Sequence, residues 1–508
     1  MADDDPMNLQ QRALRGSLAG GTSLVVNLGL TLVQVPLLLH FWGRTGFGLW
    51  LTLNSLLSLL SVFDVGHQDY VGRLLNRHYV ENPGRLKICL ASAVCIGVGL
   101  AAGEMIVGSV AIFLIPVTTF LGDSAAGVAG EVRGAALVYL VYWTLFGSVG
   151  GVFVRLYNLK GLFARGTGFA IAMKLSQFAA LIGSAMQSSS LFYAMVSYCV
   201  AGGVVNIALI VDVRRKFGDL LPGWDDVSMA TGLKNFGLSL WLTANNFLDQ
   251  ASSNGLTVLI AHRLGAEAVP VLATLRTVAN VVTQGASVVV MPLVPDFTRY
   301  YFLREPSKLT AVLATTWAVG GIFVNAAILV LILLAPSLYA WWTHGRIAFD
   351  PVLFQYVCLT VCIRSSMSGS ALFLFSINQL KAQLAISVGR GITVVLVFLA
   401  TVGQLGSSAA GLALLVSEVV ACLGITTWYV RSEIQKLSGQ LPWHSLALTI
   451  SSFVVVAGVF WGSKPVPVTV VAGFCLLLVL AWAHWRHLPA TVHQRLLSLA
   501  GGLVHRYL

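Results

Sequence analysis

Long apolar stretches alternate with short polar or charged turns along almost the whole chain. A helix needs about 20 apolar residues to cross a bilayer, and many of the stretches reach that length. Fourteen membrane-spanning helices are predicted, beginning near residues 17, 45, 88, 134, 167, 190, 235, 267, 309, 351, 384, 409, 446 and 467. The connections between them are too short for an independent domain, which needs about 50 residues. We therefore predict an all-α polytopic membrane protein.

The composition supports this class. Of the 508 residues, 57% are hydrophobic and 10% are charged, whereas about 25% of the residues in an ordinary soluble domain are charged. The net charge is +11, but the basic residues lie mainly in short loops, where they face an anionic leaflet. A nucleic-acid partner is therefore not expected.

The distribution of Lys and Arg predicts the orientation in the membrane. If the N-terminus is cytoplasmic, 22 of the 31 Lys and Arg residues fall in cytoplasmic loops and five fall on the opposite side. Because short cytoplasmic loops are enriched in basic residues, both termini are predicted to be cytoplasmic. The absence of an Asn-x-Ser/Thr sequon is compatible with a bacterial cytoplasmic membrane.

Two parts of the sequence resemble each other at a fixed offset. The run Thr52-Leu53-Asn54-Ser55 returns 222 residues later as Thr274-Leu275-Arg276-Thr277, and the same offset pairs Gly43 with Gly265. Parallel repeats in a polytopic chain indicate a two-lobed transporter whose site lies where the lobes meet. The predicted parts are a six-helix N-terminal lobe over 1–222, a six-helix C-terminal lobe over 223–436, and an additional helix pair with a cytoplasmic tail over 437–508.

Polar side chains within the apolar segments are the candidates for that site. A charge at the bilayer centre costs about 2.5–3.5 kcal/mol on insertion scales, so such residues normally face a cavity or a partner. Helical spacing places several of them on shared faces. The predicted lumen residues of the first, second, seventh and eighth helices are Asn27, Gln34, Asn54, Ser58, Asp64, Asp249, Arg276, Asn280 and Gln284.

The opposite charges of Asp249 and Arg276 make this pair the most informative candidate. They flank a predicted turn near Leu264 and, at 1.5 Å of rise per residue, lie within about 5 Å of the same depth. Two interpretations stay open: a structural salt bridge, or a charge pair that lines a translocation path. The flanking amides favour the second interpretation, because a single salt bridge would not need so many polar neighbours.

Other charges lie within predicted helices. Lys174 and Arg390 belong to the fifth helix of their respective halves, and each is predicted either to line the site or to extend to the cytoplasmic interface. Arg364 lies near mid-depth on the tenth helix and is a further candidate. Glu104 and Glu418 are mid-membrane acids without an obvious partner in the sequence.

Several function classes lack their required residues. No Gly-Lys-Ser/Thr phosphate loop is present, which argues against an ATP-driven pump on this chain. No constellation of catalytic residues, cofactor motif or metal-ligand spacing is present either, so we do not expect an enzyme. The seven cysteines lie in apolar segments and are interpreted as structural thiols.

Several short motifs in the first 73 residues resemble those of a known family. Residues 37–43, Leu-Leu-Leu-His-Phe-Trp-Gly, and 46–50, Gly-Phe-Gly-Leu-Trp, resemble the opening of bacterial polysaccharide repeat-unit flippases, which serve O-antigen and exopolysaccharide synthesis. Residues 63–66, Phe-Asp-Val-Gly, followed by Arg73, extend the similarity. These flippases belong to the multidrug/oligosaccharidyl-lipid/polysaccharide (MOP) exporter superfamily. The resemblance implies translocation of polyprenyl-pyrophosphate-linked oligosaccharides from the cytoplasmic to the periplasmic leaflet by alternating access.

The resemblance also implies roles for particular residues. Family members are thought to use charged residues on the seventh and eighth helices, where this chain has Asp249 and Arg276. A pyrophosphate would be held by a base such as Arg276, Arg364 or Lys174, and sugars by amides and hydroxyls. The first helix is polar rather than charged, which departs from coupling schemes based on a first-helix carboxylate. A polysaccharide polymerase or export machinery is the implied protein partner.

Three alternatives remain at this level. A cation-coupled multidrug antiporter of the same superfamily would use Asp64 or Asp249 to bind its coupling ion. A peptidoglycan-precursor flippase would share the fold but take a different lipid-linked cargo. A membrane-embedded transferase without large loops is the alternative from another class.

Overall fold

The computed structural model describes residues 9–460 and 467–487, and all regular secondary structure in them is helical. The first ten α-helices are α1 (Leu9–Glu81), α2 (Pro83–Leu114), α3 (Val117–Leu121), α4 (Ala129–Tyr142), α5 (Ser148–Leu159), α6 (Phe163–Gln187), α7 (Leu191–Phe217), α8 (Met229–Gln250), α9 (Leu256–Leu264) and α10 (Val269–Val290). The others are α11 (Val294–Phe302), α12 (Pro306–Trp342), α13 (Pro351–Ser366), α14 (Ser368–Ser376), α15 (Leu380–Leu405), α16 (Ser408–Glu418), α17 (Thr427–Lys436), α18 (Trp443–Phe460) and α19 (Pro467–His487). The predicted cytoplasmic tail from residue 488 lies outside the described residues.

The predicted starts at residues 17 and 45 both fall in α1, before and after its break at Gly43, and each of the other twelve falls in or beside a different helix. Ten helices in the described residues are long and apolar enough to cross a membrane, or eleven if α13 and α14, which meet at 43°, form one span. The first of these covers Leu18–Glu81 and contains two predicted segments. Helices α8 and α10 fall short, because polar residues interrupt their apolar sequence. The chain is thus a multi-pass membrane protein, as predicted.

Two glycines of the sequence repeat have the same unusual backbone conformation. Gly43 interrupts α1 with φ 67° and ψ −169°, and Gly265 follows α9 with φ 84° and ψ 160°. Side chains with a Cβ rarely adopt these angles, so glycine is the residue that turns the chain here. The repeat found in the sequence therefore corresponds to a repeated turn.

Within residues 9–460 and 467–487, three helical stretches contain a π-helical segment, which has an additional residue in its turn. Trp143–Gly147 joins α4 to α5, Ala251–Gly255 joins α8 to α9, and Val419–Thr426 joins α16 to α17. Such segments shift the helical register, so residues on either side do not follow a single 3.6-residue repeat.

The residues form two compact units, 1–270 and 271–508. The predicted lobe boundaries at residues 222 and 436 come from the repeat, not from packing, and they stay predictions. The seventh predicted helix, α8–α9, belongs to the first unit.

In unit 1 the second part of α1 packs closely along α8. A Cβ atom added to Gly66 would lie within 2.6 Å of the Thr243 backbone, so only glycine fits this contact. The rings of Phe63 and Phe247 stack with their centroids 5.4 Å apart. A second apolar core of this unit joins α1, α2, α5 and α7 around Tyr157.

In unit 2 the long helix α12 is the centre of the packing. Its Trp317 is fully buried and donates a hydrogen bond to Ser370 on α14 at 2.8 Å. Asn325, further along the same helix, donates to Ser452 on α18 at 2.8 Å. These buried polar contacts fix α12 against α14 and α18, so α18 is part of the core of this unit.

Candidate functional site

A buried carboxylate in unit 2 is paired with an arginine from the neighbouring helix. Glu418, the last residue of α16, is 2% exposed. Its Oε1 lies 3.0 Å from Nε of Arg390 on α15, and Arg390 Nη2 donates to Oε2 at 3.2 Å. The Arg390 side chain is only 12% exposed. Arg390 therefore binds a buried carboxylate inside the unit, and its depth relative to the cytoplasmic interface stays a prediction.

Two further arginines act on the same carboxylate. Arg364 on α13 places Nη1 3.7 Å from Oε1 of Glu418, while its side chain stays 52% exposed. Arg276 on α10 interacts electrostatically with both Arg364 and Glu418. Two guanidinium groups thus contact one carboxylate and a third interacts with it electrostatically, so the cluster has an excess of positive charge. We call these four residues the arginine cluster.

The arginine cluster is suited to binding an anion. Each guanidinium group has five N–H donors in a planar fork, which matches the oxygens of phosphates and carboxylates. Arg390 donates one hydrogen bond to Glu418 and makes a close ion-pair contact with it through Nε, whereas Arg364 is half exposed and makes a single long contact with the acid. Arg364 is therefore the member of the cluster most accessible to a ligand, and Glu418 holds the cluster together.

The π-helical segment Val419–Thr426 begins directly after Glu418. The hydroxyls of Thr426 and Thr427 donate to backbone carbonyls five residues earlier, those of Ala421 and Cys422, at 2.8 and 3.2 Å. Segments of this kind are frequent at functional sites. Here the segment places the carboxylate at a point where the helix changes its register.

In unit 1 the structure brings together two predicted site residues. Lys174 on α6 donates from Nζ to Oδ1 of Asn27 on α1 at 2.8 Å, and its side chain is otherwise exposed. The two residues are 147 positions apart in the sequence. They form a second, smaller basic site, in which an amide holds the ammonium group.

The polar face predicted for the second helix divides into two parts. Asn54 and Ser58 are half-buried, and the Asn54 amide donates to the Trp50 carbonyl of its own helix at 2.8 Å. Asp64 is 1% exposed, and its Oδ2 accepts a hydrogen bond from the Trp143 indole at 2.8 Å. Asp64 thus lies inside unit 1 rather than on an open polar face, because Trp143 of the π-helical segment and Glu104 of α2 lie beside the carboxylate.

The remaining predicted residues differ in exposure. Asp249 and Asn280 are exposed, while Gln34 and Gln284 are half-buried. The Asp249 carbonyl accepts a hydrogen bond from Ser252 at 2.7 Å. Asp249 belongs to unit 1 and Arg276 to unit 2, and their predicted pairing stays a prediction.

Sequence reasoning did not assign site roles to Glu104, Trp143 or Glu418. The two acids were recognisable as isolated charges within apolar segments, but their partners come from other helices. In the described residues, no three His, Cys, Asp or Glu side chains form a group that could hold a metal ion.

Comparison with known proteins identifies the type of fold. No family profile matches the sequence, and no curated protein matches it. Among solved structures, an inward-facing multidrug resistance MATE family transporter of the MOP superfamily has a TM-score of 0.62 and 15% identity, covering 82% of this chain and 95% of that one. The lipid II flippase MurJ, in an inward closed conformation, has a TM-score of 0.65 and 12% identity, covering 93% and 98%.

The fold is that of MOP superfamily transporters. A MOP superfamily transporter from Pyrococcus furiosus, whose reported binding pocket has reversed polarity, is also similar, with a TM-score of 0.54 and 15% identity over 84% of this chain and 95% of that one. Nearly the whole length of each of these solved structures thus aligns with this chain. At these identities the likeness concerns the arrangement of the helices, so cargo and coupling have to be argued from this chain's own residues.

Proposed function

We propose that this protein moves polyprenyl-pyrophosphate-linked oligosaccharide repeat units from the cytoplasmic to the periplasmic leaflet of a bacterial inner membrane. The transport would proceed by alternating access of the two repeats. The product would be used in polysaccharide synthesis, by a polymerase or export complex in the same membrane.

The observation that carries this proposal is the arginine cluster. Arg364 and Arg390 contact a single carboxylate, Arg276 interacts with it electrostatically, and Arg364 keeps half of its side chain exposed. Arginines within a membrane protein are costly unless they have a partner or a function. A pyrophosphate supplies several anionic oxygens in the geometry that guanidinium forks bind.

The amides and hydroxyls named above suit the sugar part of the cargo. Asn280 is exposed, and Asn54, Ser58 and Gln284 are half-buried. Amide and hydroxyl groups donate to and accept from glycan hydroxyls without a net charge. The polyprenyl tail needs no polar contact and would remain in the lipid.

The decisive experiment is deletion of the gene in its native host, followed by analysis of lipid-linked sugars. We expect complete repeat units to accumulate on the cytoplasmic side, with loss of the surface polymer. Expression of the intact chain should restore the polymer. Normal polymer in the deletion strain, with no accumulated precursor, would refute the proposed cargo.

A multidrug antiporter is the second candidate, because several of the similar solved structures are MATE transporters, including the multidrug transporter DinF-BH. The excess of arginines in unit 2 disfavours organic cations as cargo. Efflux of a cationic dye from a pump-deficient host distinguishes the two functions. Dye efflux that requires this protein, together with unchanged lipid-linked sugars, would favour the antiporter.

A peptidoglycan-precursor flippase is the third candidate, because the likeness to MurJ covers 93% of the chain. This function predicts rescue of growth when the host's own precursor flippase is depleted. Under the proposed function, growth is not rescued.

A further inference from the structure

Two carboxyl groups lie side by side inside unit 1. Asp64 on α1 is 1% exposed, and Glu104 on α2 is 9% exposed. The two carboxyl groups interact with each other, and both interact with the Trp143 indole. The sequence did not predict a partner for either acid. We call Asp64 and Glu104 the acid pair.

Most of the carboxyl oxygens in the acid pair accept no hydrogen bond. Trp143 donates to Oδ2 of Asp64 at 2.8 Å. Oδ1 of Asp64 and both oxygens of Glu104 are buried and have no donor among the described residues. Buried polar atoms are rarely left in this state, because each one costs desolvation free energy.

The neutral donors nearest to the acid pair are committed elsewhere. Ser148 lies beside Asp64, but its hydroxyl donates to the Gly97 carbonyl at 2.8 Å. Gln68, one turn along α1 from Asp64, donates its amide to the carbonyls of Gly147 and Ser148 at 3.1 and 3.0 Å. The Gln68 contacts satisfy backbone carbonyls where the π-helical segment that carries Trp143 ends and α5 begins.

The charged and titratable groups on the surrounding helices do not neutralise the acid pair. The ion pairs found in the described residues include neither Asp64 nor Glu104. Most of these groups have a partner elsewhere: Arg155 pairs with Asp69, His67 lies beside Ser239, Tyr142 bonds to Asn206, Glu131 to Ser190, and Tyr139 stacks on Trp143. Arg133 lies beside an apolar cleft, and Lys234 and Asp249 are exposed.

Two neighbouring carboxylates that are shielded from water repel each other, so one of them retains a proton. A shared proton also gives the pair a donor, since a protonated carboxyl group donates to the adjacent carboxylate. A metal ion fits less well, because hard cations take six or more oxygen ligands and the nearby carbonyls of Gly147 and Ser148 are engaged by Gln68.

We infer that the Asp64–Glu104 pair is a proton-binding site, and that its proton is the one exchanged during transport. The inference rests on the proposed transport function for its second part. Binding of the proton weakens the charge that attracts the Trp143 indole N–H, because a hydrogen bond to an ionised acceptor is about twice as strong as one to a neutral acceptor. Proton binding thereby changes how firmly α1 is held to the π-helical segment Trp143–Gly147.

The first test is infrared difference spectroscopy of the purified full-length protein during a pH titration. A protonated carboxyl band is expected in the wild type and is expected to disappear in both Asp64→Asn and Glu104→Gln. Glu81→Gln, which changes an exposed carboxylate elsewhere on α1, should leave the band unchanged. A band that persists in both acid-pair variants overturns the proton site. A cooperative thermal unfolding transition in each variant serves as the control that the protein is folded.

The second test uses vesicles that contain the protein, a pH-sensitive dye and polyprenyl-pyrophosphate-linked repeat units purified from the host. A pH difference of one unit supplies at most about a tenfold driving ratio per proton. We expect the pH difference to stimulate flipping by the wild type up to that ratio and not to stimulate flipping by Asp64→Asn or Glu104→Gln. In both variants, flipping down a concentration gradient of repeat units should continue. Stimulation that persists in these variants, or that needs a sodium gradient instead, overturns the coupling role.

The two tests separate the two proposals. If the vesicles flip no repeat units under any gradient, the proposed cargo is wrong, and the carboxyl band still decides whether the acid pair binds a proton. If the repeat units are flipped but no carboxyl band depends on the acid pair, the cargo stands and the proton site is wrong.

Discussion

Glu418 is almost fully enclosed by protein, both of its oxygens contact Arg390, and Oε1 also lies 3.7 Å from Nη1 of Arg364. The two arginines contribute differently, because Arg390 is buried with the acid and Arg364 is half exposed. Burying a charge is costly unless its partner is present. We therefore expect Arg390 to be required for stability and Arg364 for ligand binding.

Replacing Arg364 with Ala should reduce transport of the lipid-linked cargo by about ten- to hundredfold, because one charge-assisted hydrogen bond contributes about 1.5–3 kcal/mol. The thermal stability should change little, since Glu418 keeps Arg390. The measurement is flipping in vesicles at matched protein content. Arg431→Ala is the control, since Arg431 is exposed and contacts Trp443 instead. Equal transport by the Arg364 and Arg431 variants would contradict the role of the cluster.

Replacing Arg390 with Ala should destabilise the protein by about 3–5 kcal/mol, because it leaves a buried carboxylate without its closest partner. Thermal unfolding in detergent measures the loss. The double variant Arg390→Gln with Glu418→Gln should recover most of the stability, since no buried charge remains. If the double variant is less stable than Arg390→Ala, the ion pair is not the cause.

At the residue scale, the sequence indicated Arg276, Arg364 and Arg390 as site candidates because each is a charge within an apolar segment. It did not indicate that Glu418 joins them. The acid lies 28 residues from Arg390, and its partners come from three other helices, so no spacing rule within one helix relates them. The same holds for Glu104 and Asp64.

At the scale of the helices, the turn at Gly43 depends on backbone conformation rather than on space. A Cβ atom added there would meet no atom within 4 Å, yet φ is 67°. Gly43→Ala should therefore cost about 1–3 kcal/mol through backbone strain alone. Gly29, which also has open space but lies within regular helix, is the control.

Gly29→Ala should leave the stability unchanged or raise it by up to about 1 kcal/mol, because alanine favours helix. Thermal unfolding of the two variants in the same detergent makes the comparison. If both substitutions have the same effect, then the conformation of Gly43 is not a constraint on the fold.

The helices themselves were largely predictable, because apolar length and turn residues determine where a membrane helix begins. The three π-helical segments were not. Trp143–Gly147 and Val419–Thr426 have ordinary apolar sequences, and the additional residue in their turns is accommodated by contacts such as those of Gln68 with the Gly147 and Ser148 carbonyls. Such contacts exist only after neighbouring helices have packed.

At the scale of the whole molecule, the distribution of basic residues predicts which loops face the cytoplasm. In a variant without native cysteines, Glu81→Cys and Asp123→Cys introduce thiols at exposed positions, at the end of α1 and shortly after α3 respectively. A membrane-impermeant thiol reagent should label Asp123→Cys in intact cells and Glu81→Cys only after permeabilisation. The opposite result would reverse the proposed orientation.

The repeat was visible in the sequence at the whole-molecule scale, and the matching angles of Gly43 and Gly265 agree with it. The division into compact units was less predictable. Packing of α8 along α1, through contacts such as Gly66 with Thr243, places the seventh helix in unit 1. Repeats record the ancestry of a chain, whereas packing reflects its present conformation.

The ion pair between Arg390 and Glu418 also bears on how the chain is inserted during synthesis. Helices α15 and α16 are consecutive, separated by Gly406 and Ser407. Entering the bilayer one at a time, each helix would carry an uncompensated charge that costs about 2.5–3.5 kcal/mol. Entering as a hairpin, they bring the two charges together before either meets hydrocarbon. The short connection thus lets the ribosome deliver a neutral pair to the insertion machinery.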